Sequence, residues 1–392
     1  MDSETVGKFV AKFEENFGGR EGLRCARAPG RVNLIGEHTD YSGGFVMPMA
    51  VDREVRLFFR PAPGGPVRLW SENYGEWDEF DLDDIQRNDS ASGAWPNYVR
   101  GVALMLQETG CELCPIEGII HGDVPIGAGL SSSAAVEVAA AKAFCAAANC
   151  EPDMRELALL CQRAENEFVG VNCGIMDQFV SIHASAECAL LLDCRSLEHE
   201  LLPLDTSAFR VVVCNTMVHH ELAGSAYNER RAQCEDAARR LNERIGGVEQ
   251  LRDVSPDVLA DNADVLDEVT LKRARHVVGE NARTLQAAEA LKAGDHAQFG
   301  RLMDESHESL RRDYEVSCEE LDLMVELARR QPGVLGARLV GAGFGGCTVN
   351  LVRRQHADGV VRSVKAAYRE ETGIEPEIYQ FVAVGGARVG TC

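Results

Sequence analysis

The stretch of chain between residues 118 and 148 constrains the fold most, because it joins a strand to a long helix through a glycine-rich turn. Residues 118–124 form an apolar, β-branched run typical of a strand, and residues 131–148 are alanine-rich and predict a helix. Glycines in the turn let the backbone approach a ligand, and serines supply capping oxygens at the positive end of the helix dipole. These features predict a phosphate cradle, with a capped helix start as the alternative. The candidate residues are Gly127, Gly129, Ser131, Ser132 and Ser133.

The turn matches neither of two common nucleotide-binding motifs. A P-loop ends in Gly-Lys-Ser/Thr, which this turn lacks. The spacing Gly127-x-Gly129-x-x-Ser132 is similar to a dinucleotide fingerprint, but no acidic residue closes a second strand at the expected distance. A literal GxGxxG at residues 341–346 is followed by a strand pattern, so it predicts a glycine loop between two strands. That loop either lies close to a ligand or is a hairpin with a bulge.

A second dense motif, residues 28–41, carries four polar side chains in a short segment. Arg31 provides a permanent cation and His38 an imidazole. Glu37 and Asp40 provide two carboxylate acceptors. Burial of so many charges without partners is costly, so we expect the segment to lie outside the core. It has the groups needed to bind a polyhydroxylated ligand, and a solvated turn after a strand is the alternative.

Two further carboxylates are candidates for chemistry. Asp177 is the single acid in a mostly apolar run, residues 174–179, and is either a helix cap or a deliberately placed base. Glu165 lies on a helical pattern and is a candidate metal ligand, although a lone helical glutamate usually faces solvent.

The length and charge of the chain narrow its class. Its 392 residues exceed one ordinary core and predict two or three domains. A formal net charge of −22 argues against a nucleic acid or an anionic membrane as partner. No apolar run is long enough for a membrane span, and we expect no signal peptide. The 14 cysteines are scattered singly, so we expect reduced thiols and a cytoplasmic location.

Strand and helix patterns alternate along the chain, which predicts an α+β protein with two layers per domain. Further strands are predicted over residues 55–59, 189–193, 209–215, 337–340, 347–352 and 378–384. Further helices are predicted over residues 6–17, 154–168, 227–245, 270–292 and 318–330. A change in composition near residue 205 gives a soft domain boundary there.

Together these motifs resemble the galactokinases of the GHMP small-molecule kinase family. APGRVNLIGEHTDY (28–41) resembles the galactokinase signature. VPIGAGLSSSA (124–134) resembles the ATP motif of the family, and VGAGFGGCTV (340–349) resembles its third, glycine-rich motif. CGIMDQF (173–179) and the region around Tyr227 are similar to galactokinases as well.

The resemblance covers nearly the whole chain and implies a two-domain GHMP-kinase architecture. An N-terminal mixed α/β domain, residues 1–205, would carry the sugar motif and the ATP loop. A C-terminal ferredoxin-like domain, residues 206–392, would follow, with the active site between the two. The departures are small: Ala128 and Ala342 stand where some members have glycine, which matters only if those positions need a positive φ.

The resemblance also implies roles for individual residues. Asp177 would sit at the anomeric hydroxyl as the catalytic base, with Arg31 beside it to neutralise the γ-phosphate and stabilise the carboxylate. The glycines and serines of the phosphate cradle would wrap the triphosphate. Trp95 would lie in the adenine pocket, and Ser133 and Glu165 would be the Mg²⁺ ligands. The other galactose contacts would come from Glu37, His38, Asp40, Gly174 and Tyr227.

These roles imply an ATP-dependent kinase that makes galactose 1-phosphate from D-galactose, the first committed step of galactose catabolism. Galactose and ATP would be its small-molecule partners, and a monomer or a weak dimer is expected. One alternative is an N-acetylgalactosamine kinase, which needs room beside the second carbon of the sugar. Another is a regulator that binds galactose and ATP without turnover. The uninterrupted GLSSSAA loop (129–135) and the presence of Asp177 favour catalysis.

Overall fold

The computed structural model describes residues 3–125, 129–219 and 223–392 of the chain. The helices of this part are α1 (Ser3–Phe17), α2 (Trp95–Glu108), α3 (Ser132–Ala148), α4 (Met154–Arg163), α5 (Met176–His183), α6 (Ala223–Ile245), α7 (Pro256–Asp261), α8 (Glu268–Lys292), α9 (His296–Ser309), α10 (Glu319–Arg329) and α11 (Ala357–Thr372). The strands are β1 (Arg24–Asn33), β2 (Phe45–Val46), β3 (Pro48–Pro61), β4 (Val67–Ser71), β5 (Glu76–Phe80), β6 (Ile116–Gly122), β7 (Cys188–Asp193), β8 (His199–Pro203), β9 (Phe209–His219), β10 (Val334–Val340), β11 (Gly345–Arg353), β12 (Glu377–Phe381) and β13 (Arg388–Thr391).

The strands form three sheets. A six-stranded sheet has the order β13-β1-β3-β6-β4-β5, a four-stranded sheet has the order β10-β11-β9-β12, and a three-stranded sheet has the order β2-β7-β8. Neighbouring strands are antiparallel except β4 and β6. The last strand, β13, returns to the edge of the first sheet, where Gly390 faces Cys25 on β1. The C-terminal half therefore contributes a strand to the N-terminal sheet, and the boundary at residue 205 stays a prediction.

Helix α3 places the predicted phosphate cradle next to the first motif. Its alanines are almost all buried against β1 and β3, since small side chains let a helix approach a sheet closely. The backbone N–H of Arg31 donates to the carbonyl of Leu130 over 3.0 Å. A Cβ atom at Gly30 would lie 2.7 Å from that same carbonyl, so glycine is needed for this approach. The end of β1 and the start of α3 consequently form one wall.

The predicted helices and strands are present, with ends shifted by a few residues. The predicted helix over 154–168 ends at Arg163 and continues as a π-helical turn, Ala164–Val169. Strand β1 was not predicted, because Pro29-Gly30 interrupts its run of strand-forming residues. The register of its pairing with β3 shifts at the same point. Elements not anticipated from the sequence include β4, β5, β8, β13, α2, α9 and α11.

Two expectations are wrong. The first motif does not lie outside the core: Arg31, Glu37 and His38 are buried, because partners from the rest of the chain satisfy their polar groups. The thiols are not all reduced, because Cys111 and Cys150 form a disulfide with their Cα atoms 6.5 Å apart. Among the described residues, no helix combines the length and the apolar character needed to cross a bilayer.

Candidate active site

A cavity of about 180 Å³ opens between the first motif, the start of α5 and the glycine loop that joins β10 to β11. All the residues expected to contact the sugar line it: Arg31, Glu37, His38, Asp40, Gly174, Asp177 and Tyr227. Sequence reasoning had not assigned five other residues of the lining, which are Tyr41, Cys173, Met176, Gly341 and Ala342. Three of these five adjoin expected residues in the sequence, and the other two belong to the third motif. The glycine loop is thus both a hairpin and part of the cavity wall. Because of its expected role, we call this cavity the sugar cavity below.

Arg31 and Asp177 form an ion pair on the wall of the sugar cavity. Arg31 Nε lies 2.9 Å from Asp177 Oδ1, and Arg31 Nη2 lies 2.9 Å from Asp177 Oδ2. The Ser131 hydroxyl donates a further hydrogen bond to Oδ2. The Asp177 side chain retains 22% of its exposure, whereas that of Arg31 retains 8%. The carboxylate is therefore held firmly and is still accessible from the cavity.

Ser131 does not cap α3 as the sequence suggested. It precedes the helix with a φ of +58°, and its side chain makes no capping hydrogen bond. The left-handed backbone turns its hydroxyl towards Asp177 instead. The Ser131 hydroxyl therefore connects the phosphate cradle to Asp177, the candidate base.

Asp40 has an unusually close neighbour in Gly174. A Cβ atom at Gly174 would lie 1.8 Å from Asp40 Oδ2, so a larger residue there would displace the carboxyl group. Burial raises the pKa of Asp40 to about 6, and the charges of Asp177 and Glu37 contribute to that rise. The Asp40 carboxyl group is therefore an ionised acceptor above about pH 6 and becomes protonated at lower pH.

His38 has a defined protonation state and tautomer. Burial lowers its pKa to about 3, so the ring is neutral. Its Nε2 lies 3.2 Å from the carbonyl oxygen of Ala342, which can only accept, so Nε2 carries the proton. Its Nδ1, 2.8 Å from the Tyr41 hydroxyl, therefore accepts from that hydroxyl. Tyr41 in turn accepts from the hydroxyl of Tyr314, 2.5 Å away.

A second cavity of about 180 Å³ lies beside the start of α3. Trp95, Ser132 and Ser133 line it, together with apolar residues such as Val124 and Val136. Trp95 is only 4% exposed, and its Nε1 donates to Glu76 Oε1 over 2.7 Å. Gly129, with a φ of +66°, begins the described part of the loop, and the predicted residue Gly127 lies outside the described residues. Ser132, Ser133 and Trp95, three of the residues expected to bind nucleotide, thus share one cavity, whereas Ser131 does not line it.

Glu165 is buried and does not face solvent. Burial raises its pKa, the charge of Asp177 raises it further, and hydrogen bonds from Cys173 and Gln178 act in the opposite direction. The side-chain amide of Gln178 donates to Glu165 Oε2 over 2.7 Å and to Glu137 Oε2 over 2.9 Å. The carboxyl groups of Glu137, Glu165 and Asp177 therefore lie near one another behind the start of α3, and this crowding and burial raise the pKa of both glutamates.

The pair of Ser133 and Glu165 fits a hard cation. Mg²⁺ takes oxygen ligands and keeps several waters or substrate phosphates in its coordination shell. In the part of the chain that the structure describes, no group of three or more His, Cys, Asp or Glu side chains could hold a metal ion. A cation at this place would accordingly depend on the Ser133 hydroxyl and on oxygens from a phosphate ligand.

Family models match the chain in three consecutive regions. The galactokinase galactose-binding signature matches residues 11–61, which include the first motif. The GHMP kinases N terminal domain matches residues 97–185, and the GHMP kinases C terminal matches residues 287–370. A mevalonate kinase of 18% identity has the same fold, with a TM-score of 0.64 over 92% of this chain. The fold is therefore that of a GHMP kinase, and the expected architecture is confirmed.

Comparison with individual relatives narrows the family further within the GHMP kinases. A galactokinase from Roseiflexus sp. (strain RS-1) is 48% identical over 374 residues, which cover 95% of this chain and 94% of that protein. The galactokinase of Homo sapiens is 44% identical over 398 residues, covering 99% of this chain and 97% of that protein. The crystal structure of Lactococcus lactis galactokinase complexed with galactose superposes with a TM-score of 0.93 at 38% identity, covering 98% and 99% of the two chains. The chain belongs to the galactokinase family.

Proposed function

We propose that this chain, which phosphorylates galactose with ATP as a member of the galactokinase family, transfers the γ-phosphoryl group directly to the anomeric hydroxyl. The observation that carries the proposal is the Arg31–Asp177 pair on the wall of the sugar cavity. Arg31 Nη1 also donates to the Gly129 carbonyl over 2.5 Å, so the pair adjoins the loop expected to hold ATP. A carboxylate base and a cation thus stand where a sugar and a triphosphate meet.

The proposed reaction is a single displacement. The oxygen of the anomeric hydroxyl bonds to the γ-phosphorus of ATP, and the bond from that phosphorus to the bridging oxygen breaks, which releases ADP. Asp177 accepts the proton that the hydroxyl loses, and a positioned base of this kind contributes a factor of roughly 10²–10⁴ to the rate. Arg31 offsets the charge of the transferred group and keeps Asp177 in one orientation.

Ser133 and Glu165 are the proposed protein ligands of Mg²⁺. When bound, the ion neutralises phosphate charge and orients the triphosphate. Ser132 and the loop at Gly129 would face the phosphates through backbone N–H groups at the start of α3, where the helix dipole favours an anion. Trp95 would bound the adenine pocket, which its place in the second cavity supports.

The carboxylates of the sugar cavity are the proposed cause of a preference for galactose over its epimers. Glu37 and Asp40 supply carboxylate acceptors, which bind hydroxyls of one stereochemistry and are left unpaired by an epimer. His38 and Tyr227, with their ring centroids 5.6 Å apart, form an aromatic side of the same cavity. An N-acetylgalactosamine kinase and a regulator without turnover are not favoured.

Three further proposals concern the whole molecule. The cytoplasm is the proposed location, because it supplies ATP. A monomer or a weak dimer is the proposed state, because a single chain contains both cavities and the proposed Mg²⁺ ligands. The proposed domain division at residue 205 is supported by the four-stranded sheet, whose strands all follow it.

The position of phosphorylation tests the function directly. The purified chain is incubated with galactose, ATP and Mg²⁺, and the sugar product is examined by ³¹P and ¹³C NMR. A phosphate coupled to the anomeric carbon, formed in equal amount with ADP, is the expected product. A phosphate on another carbon, or ADP release without a sugar phosphate, would refute the proposal.

A further inference from the structure

The backbone of the first motif makes hydrogen bonds to helix α8, which belongs to the C-terminal half of the chain. Gly36 N and Glu37 N lie 3.0 Å and 3.2 Å from the same atom, Glu280 Oε1. The carbonyl oxygen of Glu37 accepts from His276 Nε2 over 3.0 Å. His276 and Glu280 are one helical turn apart on α8, so they face the motif from the same side. Two successive residues of the sugar motif are therefore bound to one helix.

The Glu280 carboxylate is buried and fully charged. Burial alone would raise its pKa, but the nearby charge of Arg283 and other partners lower the pKa to about 2. Arg283 Nε donates to Glu280 Oε2 over 2.8 Å, and the Ser306 hydroxyl donates to Oε1 over 2.6 Å. With donors on both of its oxygens the carboxylate has one orientation, in which Oε1 faces the two backbone N–H groups of the motif.

The segment that Glu280 holds has an uncommon backbone. Gly36 has a φ of +93°, and a Cβ atom there would lie 2.5 Å from the carbonyl of Phe45. His38 has a φ of +61°, which costs energy for a residue with a side chain. Such a turn persists only where its surroundings enforce it. The two N–H groups that donate to Glu280 belong to Gly36 and Glu37, which directly precede His38.

The side chain of Glu37 is held from a third direction. Arg338 on β10 is wholly buried, and its Nη2 lies 2.5 Å from Glu37 Oε2 and 2.9 Å from the carbonyl of Asn33. With its backbone on α8 and its side chain on β10, Glu37 has one orientation. Glu280 itself does not line the sugar cavity.

We propose that Glu280 is a positioning residue for galactose. By accepting hydrogen bonds from the N–H groups of Gly36 and Glu37, it sets the direction in which Glu37 and His38 face the sugar. The inference rests on the proposed function of the sugar cavity. It differs from a role in stability alone, because it ties the length of this one side chain to affinity for the sugar.

Two substitutions separate the position of the acceptor oxygen from its charge. Glu280→Asp keeps the charge but withdraws the oxygens by one methylene group, which lengthens both hydrogen bonds to the motif. Glu280→Gln keeps the length and one acceptor oxygen. The matched control is Asp78→Asn, which breaks a buried pair with Arg100, with hydrogen bonds of 2.7 Å and 3.0 Å, away from the sugar cavity.

The measurement is the galactose Kd by calorimetry without nucleotide, beside the KM for ATP and the Tm. We expect Glu280→Asp to weaken galactose binding by about tenfold or more, since two backbone donors lose their partner. Glu280→Gln should stay within about threefold of the parent, and both variants should keep the parent KM for ATP. Asp78→Asn should lower the Tm and leave the galactose Kd unchanged.

Parent-like galactose binding by Glu280→Asp would overturn the inference. An equal rise in galactose Kd and ATP KM for this variant would overturn it too, because that pattern indicates general loosening. If the parent chain itself does not bind galactose, the proposed function fails and the inference falls with it. If Glu280→Asp does not fold, a galactose Kd for Glu280→Gln raised by about tenfold would contradict the proposal by the same measurement.

Discussion

The guanidinium of Arg31 faces the whole carboxylate of Asp177, with one 2.9 Å hydrogen bond to each of its oxygens. The two residues come from β1 and from the first turn of α5, so the pair joins two segments 146 positions apart. An arginine fork fixes a carboxylate in its own plane. The lone pairs that Arg31 and Ser131 leave free are the ones available to a substrate proton.

Asp177→Asn should nearly abolish turnover while the chain stays folded. Asparagine has the same shape but neither the charge nor the basicity, so we expect kcat to fall by roughly 10²–10⁴-fold. Galactose Kd should stay within about threefold of the parent, because the other acceptors of the cavity remain. Stopped assays of ADP and galactose 1-phosphate measure the first quantity, and calorimetry the second. A variant with parent-like kcat would remove Asp177 from the role of base.

The proposed metal ligands predict a changed dependence on Mg²⁺. Ser133→Ala and Glu165→Gln each remove one oxygen donor or its charge, so the half-saturating Mg²⁺ concentration should rise by about tenfold. Galactose binding without nucleotide should not change. Rates measured across a Mg²⁺ titration, with Ser132→Ala as the neighbouring control, give the comparison. Loss of galactose affinity without any change in the Mg²⁺ titration would contradict the assignment.

The pKa of Asp40 predicts a pH dependence of sugar binding. Because the pKa is about 6 in the folded chain, the ionised acceptor is present above that pH and is lost as pH falls through it. The galactose Kd should therefore rise steadily below about pH 6, and Asp40→Asn should remove this inflection. Calorimetry between pH 5 and 8 checks both curves. A Kd that does not vary with pH in the parent would show that the ionised form of Asp40 does not accept from the sugar.

The same shift predicts how Asp40 affects stability. A raised pKa means that the folded chain disfavours the charged form of Asp40. This group therefore lowers the stability of the fold as the pH rises from the usual pKa of an aspartate through about 6. Asp40→Asn should therefore gain Tm over the parent above that pH, and the gain should shrink under more acidic conditions. Thermal unfolding across the same pH series tests the sign.

The hydrogen-bond chain from Tyr314 through Tyr41 to His38 predicts an effect of a distant hydroxyl. Tyr314→Phe leaves the Tyr41 oxygen without its donor and loosens the proton arrangement at His38, so galactose KM should rise by about threefold to tenfold. The control is Tyr368→Phe, which removes another buried hydroxyl, 3.1 Å from the Thr216 carbonyl. Equal effects of the two variants on galactose KM would refute the link to His38.

Local patterns in the sequence predicted the long helices, the strands with apolar β-branched runs and the charged residues of the sugar cavity. Arg31, Asp40 and Asp177 were identified because charged groups are conspicuous in apolar or glycine-rich segments. The partners of these groups were not predictable, since Arg338 lies 301 positions from Glu37 and Glu280 lies 243 positions from it. Only the packing of α8 and β10 against the motif brings them together.

The burial of the first motif shows the same limit. A dense set of charges is incompatible with a core unless each charge has a partner, and a single sequence does not display partners that fold in from elsewhere. The conformation of Ser131 was not predictable either, because its hydroxyl donates to Asp177, which lies 46 positions further along the chain. Serine before a helix predicts a cap, and here tertiary contacts override that preference.

The most direct test of the account is the kcat/KM for galactose beside that for glucose and N-acetylgalactosamine, measured as sugar phosphate formed with ATP and Mg²⁺. Glu37 and Asp40 both line the sugar cavity, so we expect a misplaced hydroxyl to leave an acceptor oxygen of one of them without a partner. We predict that galactose is preferred over glucose by a factor on the order of 10⁴. A glucose value within about tenfold of that for galactose, a gap of only ~1.4 kcal/mol, would contradict the account.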